Sequence, residues 1–158
     1  MGRPSRKDGE RTFIIQKYID YPLLVHKRKF DFRCFGLLTS INGSLKGYCY
    51  QDGYVRTSCR EYTLDDVTDM FIHLTNDAIQ SKSEDYGKFE NGNKMSLQDF
   101  SKVISASQPE LDFDFHRDIF PQIQKLIADT YKAAYHKIDP NRLQSCFEVS
   151  MTPQIKTL

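Results

Sequence analysis

The sequence predicts an α+β fold, an antiparallel sheet meander with helices packed on it. Three observations predict it. Arg28 to Thr39 alternates in polarity with period two, as a strand with one buried face does. Asn42-Gly43-Ser44 is a turn signal, and Leu45 to Tyr50 alternates again after it. Later in the chain the apolar spacing changes to three and four residues, the period of a helix.

Taken in order, Phe13 to Ile19 is predicted as a first strand, with Pro22 ending regular structure soon after. In the second strand, Phe30, Phe32, Cys34 and Leu38 share one face. Lys29, Asp31, Arg33, Phe35 and Leu37 share the other. Leu45 to Tyr50 pairs back as a hairpin. Gln51-Asp52-Gly53 is predicted as the next turn, with Tyr54 to Ser58 returning.

Thr63-Leu64-Asp65-Asp66 resembles a capping box with Asp in place of Glu. It is predicted to open a short helix with Val67, Met70, Phe71 and Leu74 inward. Gln80 to Lys94 is polar, carries Gly87, Asn91, Gly92 and Asn93, and reads as a loop. Ser96 is an N-cap candidate ahead of Leu97, Phe100, Val103 and Ile104 at helical spacing. Asp118 to Ile138 is predicted as the longest helix, with Pro121 in its first turn. Ile119, Ile123, Leu126, Ile127, Thr130, Ala134 and Ile138 fall along one side. Ser145 to Val149 begins another strand.

At 158 residues the chain suffices for one modest domain with a core. Its 39% hydrophobic and 13% aromatic content exclude disorder by composition. Lys+Arg number 22 against 21 Asp+Glu, which argues against a nonspecific nucleic-acid binder. No apolar run approaches membrane-spanning length, so no membrane partner is expected. Met1 to Arg11 is polar and basic and reads as a solvated tail, not a secretory signal. Cys34, Cys49, Cys59 and Cys146 form no CxxC pair and read as reduced thiols. His26, His116 and His136 are scattered, and no metal site is expected from them.

Chemistry concentrates at Lys29-Phe30-Asp31-Phe32-Arg33. Three ionisable side chains project from one strand face, about 7 Å apart by strand geometry. Such a row suits a polyanion such as a nucleotide triphosphate, with the carboxylate orienting the cations. Read alone, it is equally the wet face of an edge strand.

Its neighbours extend the pattern. Gln16-Lys17-Tyr18-Ile19, Pro22-Leu23-Leu24, Arg28 to Arg33, Gly53-Tyr54-Val55-Arg56 and His73-Leu74-Thr75-Asn76 follow in order. Tyr86-Gly87, Gly92-Asn93-Lys94-Met95-Ser96 and Asp99-Phe100 come later. This succession resembles the tubulin–tyrosine ligase family, ATP-grasp ligases that attach amino acids to tubulin, over about Phe13 to Glu148.

The resemblance implies a partial ATP-grasp fold and a set of roles. Gln16, Lys17, Tyr18 and Ile19 correspond to the hinge whose backbone meets adenine. Taken alone, the same residues read as an ordinary buried strand. Lys29 and Asp31 correspond to nucleotide contacts, with Asp31 accepting from ribose or holding its basic neighbours. Arg33 and Arg56 correspond to the catalytic arginines facing the γ-phosphate and an acyl-phosphate intermediate. Thr75 and Asn76 correspond to a second nucleotide contact, and His73 reads as a structural hydrogen-bonding residue. Asp77 and Ala78 replace the Tyr and Ser of glutamate-adding members, while Gln80 is closer to the tyrosine-adding pattern. Lys27 and Arg28 are expected to add charge that attracts an acidic tubulin tail; a solvated surface is the equally simple account.

ATP and Mg2+ are the implied cofactors; tubulin or microtubules and a free amino acid are the implied partners. The implied location is cytoplasm and cytoskeleton, with cilium or basal body as narrower alternatives. Residues 1–11 are expected to be a tail, 12–148 an incomplete ligase domain, and 149–158 a stretch off the family pattern. The family's upstream lobe has no counterpart before Phe13, and the metal-holding carboxylates expected after Glu148 do not follow. Impaired turnover is therefore expected. The alternative is a non-catalytic tubulin- or microtubule-binding remnant. Which amino acid is added, and the oligomeric state, stay open.

Overall fold

The computed structural model describes residues 13, 15–42, 44–138 and the backbone of 145–151. The fold is α+β, as expected: an antiparallel sheet with helices packed on it. The expected tail, and the off-pattern stretch beyond Met151, lie outside the described residues.

Strand β1 (Leu24–Val25) turns through His26 and Lys27, both at positive φ, into β2 (Arg28–Ile41). β2 pairs along one edge with β3 (Ser44–Glu61). On its other edge it pairs with β1 near its start and β5 (Ser145–Met151) near its end. β3 pairs in turn with β4 (Lys94–Ser96). Every pairing is antiparallel.

β2 alternates as its sequence dictates. Phe32, Cys34 and Leu38 are buried on one face, while Lys29, Asp31 and Arg33 are half-buried on the other. The hairpin across Asn42 is present, with Ile41 opposite Ser44.

Gln51-Asp52-Gly53 is not a turn. β3 runs through it unbroken, because the irregularity is absorbed as a bulge. Cys34 pairs with Gly53 and Gly36 with Cys49, so Tyr50, Gln51 and Asp52 stand opposite Phe35 alone. A bulge bends the sheet without ending the ladder, which a local turn signal does not distinguish. Gly53 is required there: a Cβ would sit 2.4 Å from the Arg33 carbonyl oxygen.

The predicted strand over Phe13 to Ile19 is also corrected. The described residues there have no regular structure. Ile15 is 99% exposed and Phe13 77%, so their β-forming side chains have no sheet to pack on. In the 63–74 region, the helix is only α1 (Met70–His73), capped by Asp69, whose carboxylate accepts from the Phe71 amide at 2.8 Å. Thr63 instead accepts from the Asp65 amide in a local turn. Val67, Met70 and Leu74, expected inward, are exposed; Ile72 and His73 are buried instead.

Helix α2 (Asp77–Gln80) and a 3-10 turn at Asn91–Asn93 bracket the expected loop, and Lys94 opens β4. Ser96 caps α3 (Leu97–Ser107), accepting from the Asp99 amide at 3.0 Å. The long helix begins later than expected. A short α4 (Phe115–Asp118) precedes α5 (Phe120–Ile138). Pro121 has no N–H for the Arg117 carbonyl, so the ladder breaks and restarts. Ile119, Ile123 and Ile127 face the core as predicted. Leu126 and Thr130 are exposed, and Tyr131 takes the inward place.

The core lies between the sheet and the helices α3 to α5, around Phe32, Val55, Phe100, Phe115 and Ile123. Phe32 and Phe100 meet edge to face at 5.0 Å. The opposite face of β2 is left to carry the charged row.

Candidate functional site

The charged row stands in a hollow of about 310 Å³. Its lining includes Gln16, Lys17, Tyr18, Lys29, Asp31, Arg56, Thr75 and Asn76, together with His73 and Leu74. Thus three distant segments, the expected hinge, β2–β3 and the α1–α2 turn, converge. Ile19 and Arg33 do not line it. Ile19 lies at the end of the hinge segment, and Arg33 sits two residues beyond Asp31, paired with Tyr54.

Asp31 is the centre of the arrangement. Strand register sets it opposite Arg56. Arg56 donates to both of its oxygens, Nε at 2.8 Å and Nη2 at 2.5 Å. Thr75 Oγ1 donates a third bond at 3.0 Å. Asp31 therefore holds its basic neighbour, one of the two roles expected of it. The hydrogen bond to Asp31 raises the Arg56 pKa, so this guanidinium stays charged. Arg56 is 7% exposed and so is held in a fixed orientation.

Lys29 enters from the same strand. Burial lowers its pKa, and the nearby Asp31 opposes that shift. Its Nζ donates to the Tyr18 hydroxyl at 3.1 Å and lies 4.3 Å from the ring centroid. Tyr18 meets His73 Nδ1 at 2.7 Å, and burial is the main cause of its strongly raised pKa. His73 is thus a structural hydrogen-bonding residue, as read from the sequence. Tyr62 donates to the Asp20 carbonyl at 2.7 Å and so tethers the hinge, which no sheet holds.

The α1–α2 turn is set by Gln80. Its Oε1 accepts from the Cys59 amide at 2.7 Å, and its Nε2 donates to the Leu74 carbonyl. Gln80 is buried and does not reach the hollow, so its side chain positions Thr75 and Asn76 on β3. A polar residue so placed is indistinguishable in sequence from a substrate contact.

One charge does not behave as expected. Arg28 is buried, donating to Glu90, Thr57 Oγ1 and the Ser58 carbonyl, and is not a surface charge. Lys27 is exposed, 3.8 Å from Glu61. Beside the hollow, Asp77 accepts from Tyr86 at 2.6 Å and pairs with Lys94 at 3.4 Å. The Tyr86 bond is the largest cause of its lowered pKa. Tyr86 and Lys94 belong to the later motifs of the family pattern, which assigns neither of them a role at the hollow.

Cations at Lys17, Lys29 and Arg56, with the Thr75 hydroxyl and Asn76 amide, fit a nucleotide's phosphates. Magnesium fits less well. Among the described residues no group of three or more His, Cys, Asp or Glu side chains could hold a metal. Asp31, the hollow's carboxylate, has both oxygens engaged. No helix among the described residues is long and apolar enough to cross a membrane.

Comparison with known proteins identifies the family. A family profile described as "Tubulin-tyrosine ligase family" matches residues 3–150. The chain is 35% identical over 142 residues to "Probable alpha-tubulin polyglutamylase Ttll1" of Tetrahymena thermophila, covering 89% of this chain and 33% of that protein. It is 36% identical over 104 residues to "Tubulin glycylase 3B" of Drosophila melanogaster, covering 63% and 14%. It is 37% identical over 95 residues to "Probable tubulin polyglutamylase TTLL9" of Bos taurus, covering 60% and 20%. The chain therefore spans a third or less of the length of these relatives. With the family profile covering nearly all of it, the chain belongs to the tubulin-tyrosine ligase family.

Proposed function

We propose that this chain carries the nucleotide-binding part of an ATP-dependent ligase that joins an amino acid to tubulin. The observation that carries the reading is the Asp31–Arg56–Thr75 cluster standing with Lys29 and Asn76 in one hollow. In this reading Lys29 and Arg56 hold the triphosphate of ATP. The hinge backbone at Gln16 to Ile19 offers donor and acceptor groups to the base. Arg33, two residues beyond Asp31 on the same strand, serves the reacting groups without lining the hollow itself.

The chemistry supplied by ATP is activation of a carboxylate as an acyl phosphate, which an amine then attacks to form an amide. This chain's part is to bind, orient and neutralise charge. The names of the relatives, polyglutamylases and glycylases, support glutamate or glycine as the amino acid. Tubulin as acceptor supports a location in the cytoplasm and on the cytoskeleton, the cilium among the sites to examine.

The test is incorporation of labelled glutamate, glycine or tyrosine into tubulin, with ATP and Mg2+, by the purified chain and by its Arg56→Ala variant. ATP-dependent incorporation lost in the variant supports the reading. Co-sedimentation with microtubules that ignores ATP, without incorporation, supports a non-catalytic binding role instead.

A further inference from the structure

We propose that His73 is a positioning residue, which acts through the Tyr18 hydroxyl to hold the Lys29 ammonium in the hollow. The proposal rests on the nucleotide-binding reading above for its consequence, but not for its geometry.

The direction of each hydrogen bond follows from the first. His73 Nε2 lies 2.8 Å from the Asp66 carbonyl oxygen, which can only accept. Nε2 therefore carries a proton, and in neutral imidazole Nδ1 is then bare. Bare Nδ1 accepts from the Tyr18 hydroxyl at 2.7 Å. With its proton committed, Tyr18 Oη has only lone pairs to offer, and Lys29 Nζ donates to it at 3.1 Å. One backbone carbonyl thus sets the order of protons along three side chains.

The brace matters because its last member is flexible. A lysine ammonium is a point charge on a four-carbon stem, and nothing in the stem aims it. Here the ammonium is held from one side by the Tyr18 hydroxyl and ring, and attracted from the other by Asp31. His73 is fixed in turn: it is 8% exposed, and Tyr18 and Tyr62 both meet its ring edge to face. It belongs to α1, so the brace also ties the hinge to the segment leading into Thr75 and Asn76. The charged and titratable neighbours of this row are Asp31 beside Lys29, Asp20 and Tyr62 beside Tyr18, and Asp66 beside His73.

Two measurements test it on the whole chain. The first needs no nucleotide. Lysines are dimethylated with carbon-13 formaldehyde and the Lys29 signal, assigned through Lys29→Arg, is titrated by NMR in wild type, Tyr18→Phe and His73→Ala. Both variants are expected to move the Lys29 titration, and in the same direction. An unchanged titration in Tyr18→Phe overturns the proposal; because this variant deletes one oxygen, it stays informative even where His73→Ala unfolds. The second measurement is binding of ATP alone by calorimetry. Each single variant is expected to weaken binding about tenfold, the scale of one hydrogen bond to a charged group. The double variant is expected to be no weaker than either single one. Independent, multiplying losses overturn the brace. ATP binding that ignores Lys29→Ala overturns the nucleotide reading and leaves the titration result standing on its own.

Discussion

Arg56 grips Asp31 in a two-pronged ion pair across paired strands, with the partners' side chains 9% and 14% exposed. Such a pair contributes less by its own attraction than its loss costs, because removing one partner strands a buried charge. Asp31→Ala is therefore expected to destabilise the fold by about 3–5 kcal/mol. Asp31→Leu/Arg56→Met, which removes both charges, is expected to recover part of that loss. Urea unfolding of the single and double variants measures this; equal loss in both would show that the ion pair is not what the fold depends on.

The second buried pair is purely structural. Arg28 is 1% exposed and bonds Glu90 through both terminal nitrogens, with Phe89 stacked 4.4 Å from its guanidinium carbon. It fastens the loop before β4 to the start of β2. Glu90→Ala is expected to lower stability by about 3 kcal/mol or more, and to expose the 83–93 loop to proteolysis. A limited-digestion time course compared with wild type checks this.

Gly36 lets α5 lie close on β2. A Cβ there would sit 2.7 Å from Ile127 Cγ2 and 2.8 Å from the Tyr131 hydroxyl oxygen. Gly36→Ala is expected to destabilise by about 1–3 kcal/mol through overpacking. Gly36→Ala combined with Tyr131→Phe, which removes the hydroxyl oxygen that this Cβ would meet, is expected to lose less, and thermal melts of both variants give the comparison.

Stability should fall in acid, and the sign follows from the carboxylates. The Tyr86 hydrogen bond, which outweighs the opposing effect of burial, holds Asp77 below its ordinary 3.8, and the Lys94 ammonium adds to it. Hydrogen bonds and cations likewise hold Asp66, Asp99, Asp118 and Asp129 low. A carboxyl with a depressed folded-state pKa stabilises above its unfolded value, and that stability is lost as pH falls through the folded value. Unfolding midpoints are expected to be flat above the ordinary carboxylate range and to drop below it. Asp77→Asn is expected to make that drop shallower.

Much of this was legible in the chain. β2 reads directly because its buried face repeats every second residue, and Ser96 announces α3 because an N-cap is a local event. What failed depends on partners far along the chain. Ile15 looks like a strand residue but meets no strand. Gln51-Asp52-Gly53 looks like a turn, yet β2 alongside carries β3 through it as a bulge. Leu126 is exposed and Tyr131 buried because the inward row runs every fourth residue, through Ile119, Ile123, Ile127 and Tyr131. Lys29, Asp31, Arg56, Thr75 and Asn76, named through the family pattern, line one hollow. Gln80's hold on the Leu74 carbonyl and the ordered row from His73 to Lys29 were not legible, since neither leaves a periodic or spacing signal.

The central claim is that the hollow around Asp31 binds the phosphates of a nucleotide. Calorimetric titration of the purified chain with ATP, beside Lys29→Ala and Arg56→Ala variants shown to be folded, tests it most directly. Saturable binding to the wild type, weakened about tenfold or more by each variant, is the predicted result. Binding that both variants leave unchanged, or no binding to a folded wild-type chain, would contradict it.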